Sequence, residues 1–161
     1  MQAAERAAWL RLLLTPGLGP RTARSLLAAF GLPDAVFSAG LPALLRVVPE
    51  PLAHELARAP GTEIQAAVDA SERWLAASTD HALLTLADPE YPQALLTTAD
   101  PPAVLFAVGR LELLNRPAVA IVGSRNATQQ GIANAEGFAA AFARAGVTVV
   151  SGLALGIDAA A

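Results

Sequence analysis

The chain has 161 residues, enough for one ordinary domain or a small domain with part of another. Hydrophobic residues make up 54% and charged residues 16%, with a mean hydropathy of +0.45, yet Arg, Pro or Gly interrupts every apolar run before the roughly 18 residues a membrane span needs. Its 11 basic and 14 acidic residues give a net charge of −3, which argues against a surface coated in positive charge for nucleic acid, and zero cysteines exclude disulfides and thiolate metal sites.

Every basic residue is Arg, so any contact with a polyanion must be local, through a few guanidinium groups and backbone N–H groups. The start, Met-Gln-Ala-Ala-Glu-Arg, is amphipathic rather than signal-like, and a cytoplasmic protein is expected. Glu5 to Leu14 carries Ala8, Trp9, Leu12 and Leu13 at helical spacing, and Thr15-Pro16-Gly17 stops it. Pro20 suits a first helical position, and the pattern continues through Ala23, Leu26, Leu27 and Phe30 to Gly31. Pro33, Pro42 and Pro51 open three further short helices. Thr62 with Gln65 reads as a capping box for a longer helix to about Ala77, with Ile64, Val68, Ser71 and Leu75 on one face. Residues 1–78 are therefore expected to form a small all-helical domain.

The pattern changes after Ser78-Thr79-Asp80. His81 to Leu86 is a strand candidate, and Asp88 to Pro92 a turn. Val104 to Val108 is a run of the buried-strand kind, as is Ala118 to Val122. Thr128 to Ala145 is a helix with Ile132, Ala135, Phe138, Ala139 and Phe142 on one face, and Gly146 follows it. Val147 to Val150 is a second buried strand. Strand, helix, strand in that order makes a β-α-β unit with a parallel pair, so residues 79–161 are expected to be α/β. Two or three strands with one crossover helix cannot cover both faces of a parallel sheet, so a truncated sheet is expected.

Three constellations bear chemistry. Gly123-Ser124-Arg125-Asn126-Ala127-Thr128 joins a strand to a helix. Glycine lets a ligand approach the backbone, Ser124 and Thr128 bring hydroxyls, the helix start brings N–H groups, and Arg125 brings a forked donor that suits phosphate. The plain alternative is a tight turn with a solvated Arg. Ser151-Gly152-Leu153-Ala154-Leu155-Gly156-Ile157-Asp158 repeats the arrangement after the next strand. In a parallel sheet both turns leave at one edge, so Ser151 and Gly152 are expected beside Gly123 and Ser124. Asp158 is expected to cap the following helix. The third is Thr15 to Ala23, a Gly-Leu-Gly hairpin between helices, in which Gly17, Gly19 and Arg21, with Arg24 nearby, could face a DNA phosphate; a plain αα-hairpin is the alternative.

Other chemistries are disfavoured. No glycine follows Gly123 until Gly131, so the dinucleotide fingerprint is absent, and without Lys there is no Walker A loop. His54 and His81 stand alone, with no metal-ligand or triad spacing, and no metal or cofactor is expected.

Ala120 to Asp158, containing Ala-Ile-Val-Gly-Ser-Arg and Val-Val-Ser-Gly-Leu-Ala-Leu-Gly-Ile-Asp, closely resembles the DNA-processing protein A (DprA/Smf) family. Asp88-Pro89-Glu90-Tyr91-Pro92 and Asp100 to Phe106 resemble that family's lead-in to its Rossmann-like domain, and the N-terminal helices its sterile-alpha-motif-like domain. The resemblance implies a Rossmann-like parallel sheet, single-stranded DNA as ligand, protection of incoming strands in natural transformation, loading of a RecA-type recombinase, a homodimer in the full-length protein, and no catalysis. It assigns Gly123, Ser124 and Arg125 to the phosphate-binding loop and Ser151 and Gly152 to the facing loop. The competing expectations are a Rossmann-like hydrolase of nucleoside monophosphates and a helical domain that binds protein alone.

Overall fold

The computed structural model describes all residues, Met1–Ala161, and divides by compactness into Met1–Leu111 and Glu112–Ala161. The first unit begins with six helices: α1 (Ala3–Leu14), α2 (Pro20–Phe30), α3 (Pro33–Ser38), α4 (Leu41–Leu44), α5 (Glu50–Ala57) and α6 (Thr62–Ala76). Proline stands in the first turn of α2, α3, α4 and α5, where its missing N–H costs no hydrogen bond. Gly31 ends α2 at φ +88°, and its N–H closes the last turn on Leu27 O at 2.8 Å.

Two apolar clusters hold this unit together. One gathers Leu12, Ala23, Leu26, Val36, Leu44, Val48, Ala53 and Leu56; the other gathers Trp9, Leu10, Val68, Leu83, Ala103 and Val104. Helix α1 contributes to both, so it buries side chains on more than one face. That corrects the expected stripe: Leu10 is buried at 1% exposure, and Leu13 is exposed at 45%. The capping box is also absent. Gly61 is the N-cap of α6, Thr62 is already helical, and no side chain caps the helix.

The second cluster takes in a two-stranded antiparallel hairpin, β1 (His81–Thr85) with β2 (Val104–Val108), paired from His81 with Val108 to Thr85 with Val104. A short helix, α7 (Gln93–Leu96), lies in the connection. The hairpin does not bury β2 throughout: Phe106 and Val108 are 48% and 69% exposed. An antiparallel pair packed on helices covers one face, so alternate side chains of an apolar run are left in solvent. Asp88 ties the hairpin end. Its Oδ2 accepts from Thr85 N–H and from Thr85 Oγ1–H, both at 2.7 Å. Tyr91 is 1% exposed and donates its hydroxyl to Pro102 O at 2.7 Å.

The second unit contains β3 (Ala118–Ala120), α8 (Gln129–Arg144), β4 (Thr148–Val150) and α9 (Ile157–Ala160). Strands β3 and β4 are parallel, pairing Ala118 with Thr148, Val119 with Val149 and Ala120 with Val150. Thr128 is the N-cap of α8, and its Oγ1 accepts from Gly131 N–H at 3.1 Å. Gly146, at φ +79°, follows the helix as expected. Ala135 and Ala139 are the buried members of the predicted helix face, whereas Phe138 is 62% exposed. The strands are shorter and more open than their composition suggests, with Val122 and Val150 70% and 52% exposed, because one crossover helix covers at most one side of a parallel pair.

Candidate functional site

The two glycine turns lie side by side at one end of the β3–β4 pair. Pairing runs on past the strands, since Ile121 N–H donates to Val150 O at 3.0 Å. The next residue across, Ser151, donates its hydroxyl to Ile121 O at 2.9 Å. The turns then meet directly. Ile157 N–H donates to Ser124 O at 3.2 Å, and a Cβ on Gly156 would stand 2.2 Å from that same oxygen. Gly156 also has φ +82°, a conformation that favours glycine. A Cβ on Gly123 would stand 2.7 Å from Ile157 Cγ1. The structure thus brings Gly123, Ser124, Arg125, Ser151 and Gly152 to one edge. Glycine suits the approach of a ligand, and here Gly123 and Gly156 also let the two turns near each other.

The group that sequence reasoning missed is Asp158. It does not cap α9, whose N-cap is Gly156 with no side-chain bond. Its carboxylate reaches back across both turns instead. Oδ1 accepts from Gly123 N–H at 3.3 Å, and Oδ2 accepts from Gly152 N–H at 3.2 Å. These amides are the backbone donors that the sequence offered to a phosphate. A carboxylate two residues past a glycine is the only signal in the chain, and it fits helix capping equally well, so the sequence alone could not find this contact.

The side chains around the turns are differently placed. Gly123, Ser124 and Arg125 are exposed and Ser151 is half-buried. Arg125 makes no ion pair, so its guanidinium is free for an anion. Ser124 Oγ accepts from Asn126 N–H at 3.1 Å, which leaves its hydroxyl proton to donate. Thr128 is occupied as the cap of α8. In the same segment Leu153 is a non-glycine residue at φ +54°, a strained conformation, and Leu153 and Leu155 are 92% and 77% exposed.

The α1–α2 hairpin belongs to the first unit. Gly17 has φ +78°, Leu18 N–H donates to Thr15 O at 3.1 Å, and buried Thr15 donates its hydroxyl to Arg11 O at 2.7 Å. Gly19 is the N-cap of α2. Arg21 and Arg24 both approach Asp100, at 3.6 and 3.4 Å, with Arg21 81% exposed. His54 is exposed beside Glu50 at 3.7 Å, and His81 stacks on Trp74 with ring centroids 4.0 Å apart. No group of three His, Cys, Asp or Glu residues is placed to hold a metal ion, and no helix is long and apolar enough to cross a membrane.

Comparison with known proteins identifies relatives for both parts of the chain. Residues 82–161 match the family described as DNA recombination-mediator protein A, and residues 3–70 match the DprA-like N-terminal HHH domain. The chain is 42% identical over 80 residues to Protein Smf of Synechocystis, covering 47% of this chain and 20% of that protein. It is 40% identical over 89 residues to the DNA processing protein DprA of Bacillus subtilis, covering 53% of this chain and 30% of that one. The X-ray structure of DNA processing protein A from Streptococcus pneumoniae superposes with a TM-score of 0.56 at 25% identity, over 93% of this chain and 50% of that one. The matched segments therefore cover less than a third of the length of these curated relatives, and the chain covers half of the solved one.

Proposed function

The chain belongs to the DprA/Smf family of DNA-processing proteins, and we propose that its paired glycine turns form the phosphate-binding end of a single-stranded DNA site. On this reading residues 1–78 are the helical, helix-hairpin-helix domain and residues 79–161 the opening part of the Rossmann-like DNA-binding domain. The whole protein is cytoplasmic and homodimeric, protects incoming strands during transformation, and helps to load a RecA-type recombinase. It carries out no reaction itself.

One observation carries the proposal: an exposed, unpaired guanidinium at Arg125 beside two small-residue turns that share one sheet edge. The edge of a parallel sheet is where α/β folds bind their ligands. Arg125 offers two parallel donors to a backbone phosphate, with the Ser124 hydroxyl alongside. Such contacts position a strand without reading its sequence, which suits a protein that must accept any incoming strand. Gly17, Gly19 and Arg21 of the hairpin are a secondary contact, through the hairpin and the first N–H groups of α2.

The test is Arg125→Ala in an anisotropy titration with oligo(dT). The expected loss is about 1.5–3 kcal/mol, the range for a hydrogen bond to a charged group. The slope of log affinity against log salt should flatten by about 0.7 for the lost contact. Unchanged affinity and slope would remove Arg125 from the site.

A further inference from the structure

The carboxylate of Asp158 sits where an incoming phosphate would find its backbone donors. Each of its oxygens takes one glycine amide, Gly123 N–H at 3.3 Å and Gly152 N–H at 3.2 Å. A phosphate with two oxygens would use the same pair of donors in the same way. We infer that Asp158 is a built-in competitor that lowers the affinity of this edge for phosphate, and that a bound strand displaces its carboxylate from the two glycine amides. The inference rests on the single-strand reading of the site and concerns how that site is tuned.

Three features mark the contact as one that can be exchanged. Both bonds lie at or beyond the long end of the usual N–H···O range, roughly 2.7–3.2 Å. No cationic side chain pairs with Asp158, and its carboxylate is held by the two glycine amides alone. The segment that leads to it is strained and poorly covered, with Leu153 at φ +54° and both Leu153 and Leu155 largely in solvent. Such strain persists where the surrounding structure enforces it, and it concentrates at sites that switch or bind.

The bonds between the turns do not depend on Asp158. Ser151 Oγ–H to Ile121 O and Ile157 N–H to Ser124 O both remain when the carboxylate leaves. Displacement therefore frees two donors without opening the edge. It also moves a negative charge away from the position a phosphate takes. The protein gains a site that ignores stray small anions, because a single weak contact does not repay the displaced carboxylate. A strand that also engages Arg125 does.

The experiment compares the wild-type chain with Asp158→Asn and Arg125→Ala, titrated with oligo(dT). Asp158→Asn removes the charge and preserves the shape. The expected result is affinity tighter by about three- to ten-fold, the scale set by screened repulsion between two unit charges a few ångströms apart. Unchanged or weaker binding overturns the inference, since a carboxylate that merely fastens the turns would weaken the site on removal. A second measurement needs no variant: the side-chain carboxyl ¹³C resonance of Asp158 in the wild-type chain should move as oligo(dT) is added, and a fixed resonance at saturation overturns displacement. Arg125→Ala separates the two claims. If it loses binding while Asp158→Asn changes nothing, the site stands and the competitor falls; if Arg125→Ala binds as wild type, the site itself falls.

Discussion

Gly156→Ala is the perturbation that most directly loads the contact between the two turns. The new Cβ would stand 2.2 Å from Ser124 O, 2.6 Å from Arg125 O and 2.8 Å from Arg125 C. All three are backbone atoms, so no side chain can swing aside, and the turns must separate. The residue would also be held at φ +82°, which costs an L-residue about 1–2 kcal/mol before any clash. Relief of the overlap by a backbone shift adds about 1–2 kcal/mol, as overpacking does. The sum, about 2–4 kcal/mol, should fall on Glu112–Ala161. The assay is amide hydrogen exchange of Ile121 and Thr148, which donate to Val150 O and Pro117 O across the parallel pair. At about 1.4 kcal/mol per factor of ten, their exchange should quicken by about thirty- to a thousand-fold, up to the limit set by the stability of the unit. Gly137→Ala is the control: it lies inside α8 with nothing within 4 Å of its Cβ, and should slow exchange, since Ala is favoured over Gly in a helix by about 0.5–1 kcal/mol. Exchange in Gly156→Ala equal to wild type would refute the close packing of the turns, and with it their shared site.

Three predictions concern the first unit. Tyr91→Phe removes the hydroxyl that donates to Pro102 O inside a fully covered site, and should cost about 1–2 kcal/mol in urea denaturation, because the carbonyl loses its partner. Burial also raises the Tyr91 phenol above its ordinary value, so in an ultraviolet titration it should ionise only above the usual tyrosine range. Glu72 receives Arg6 Nε–H on Oε1 at 2.8 Å and Arg6 Nη2–H on Oε2 at 2.6 Å, and this hydrogen bonding holds its carboxyl below the ordinary value. A depressed carboxylate stabilises the fold above its unfolded pKa and loses that contribution as pH falls through the folded one. Glu72→Gln should therefore cost about 0.5–1 kcal/mol near neutral pH, with the gap closing in acid below the carboxylate range.

Much of the architecture was legible because the chain punctuates itself. Pro20, Pro33, Pro42 and Pro51 mark helix starts through a fixed φ and a missing N–H, and Gly31 and Gly146 mark helix ends through positive φ. Thr128 opens the apolar helical pattern and is the N-cap of α8. These signals are local, and local sequence carries them. Burial was harder to read. Leu10 and Leu13 are the same residue type one helical turn apart, and only the presence of a second cluster decides that Leu10 goes inside. Val104 to Val108 and Ala118 to Val122 look fully buried as apolar runs, but each strand sits in a two-stranded sheet with one open side.

At the site, the meeting of Gly123 with Gly152 followed from parallel pairing, because strand order and turn length dictate it. The position of Asp158 did not follow, since a carboxylate near a helix start has several local donors and only the folded turn selects two remote ones. The hairpin shows the same limit. Arg21 and Arg24 were legible as basic residues beside a Gly-Leu-Gly turn, whereas their approach to Asp100, more than seventy residues away, was not.

The most direct test of the central claim is a ¹H–¹⁵N titration of the chain with oligo(dT), followed at the backbone amides and the Arg125 Nε–H. The account predicts that Gly123, Ser124, Arg125, Ser151 and Gly152 move together along one binding curve. Movement confined to one of the two turns, or to the Gly17–Arg21 hairpin, or no movement at any of them, would contradict it.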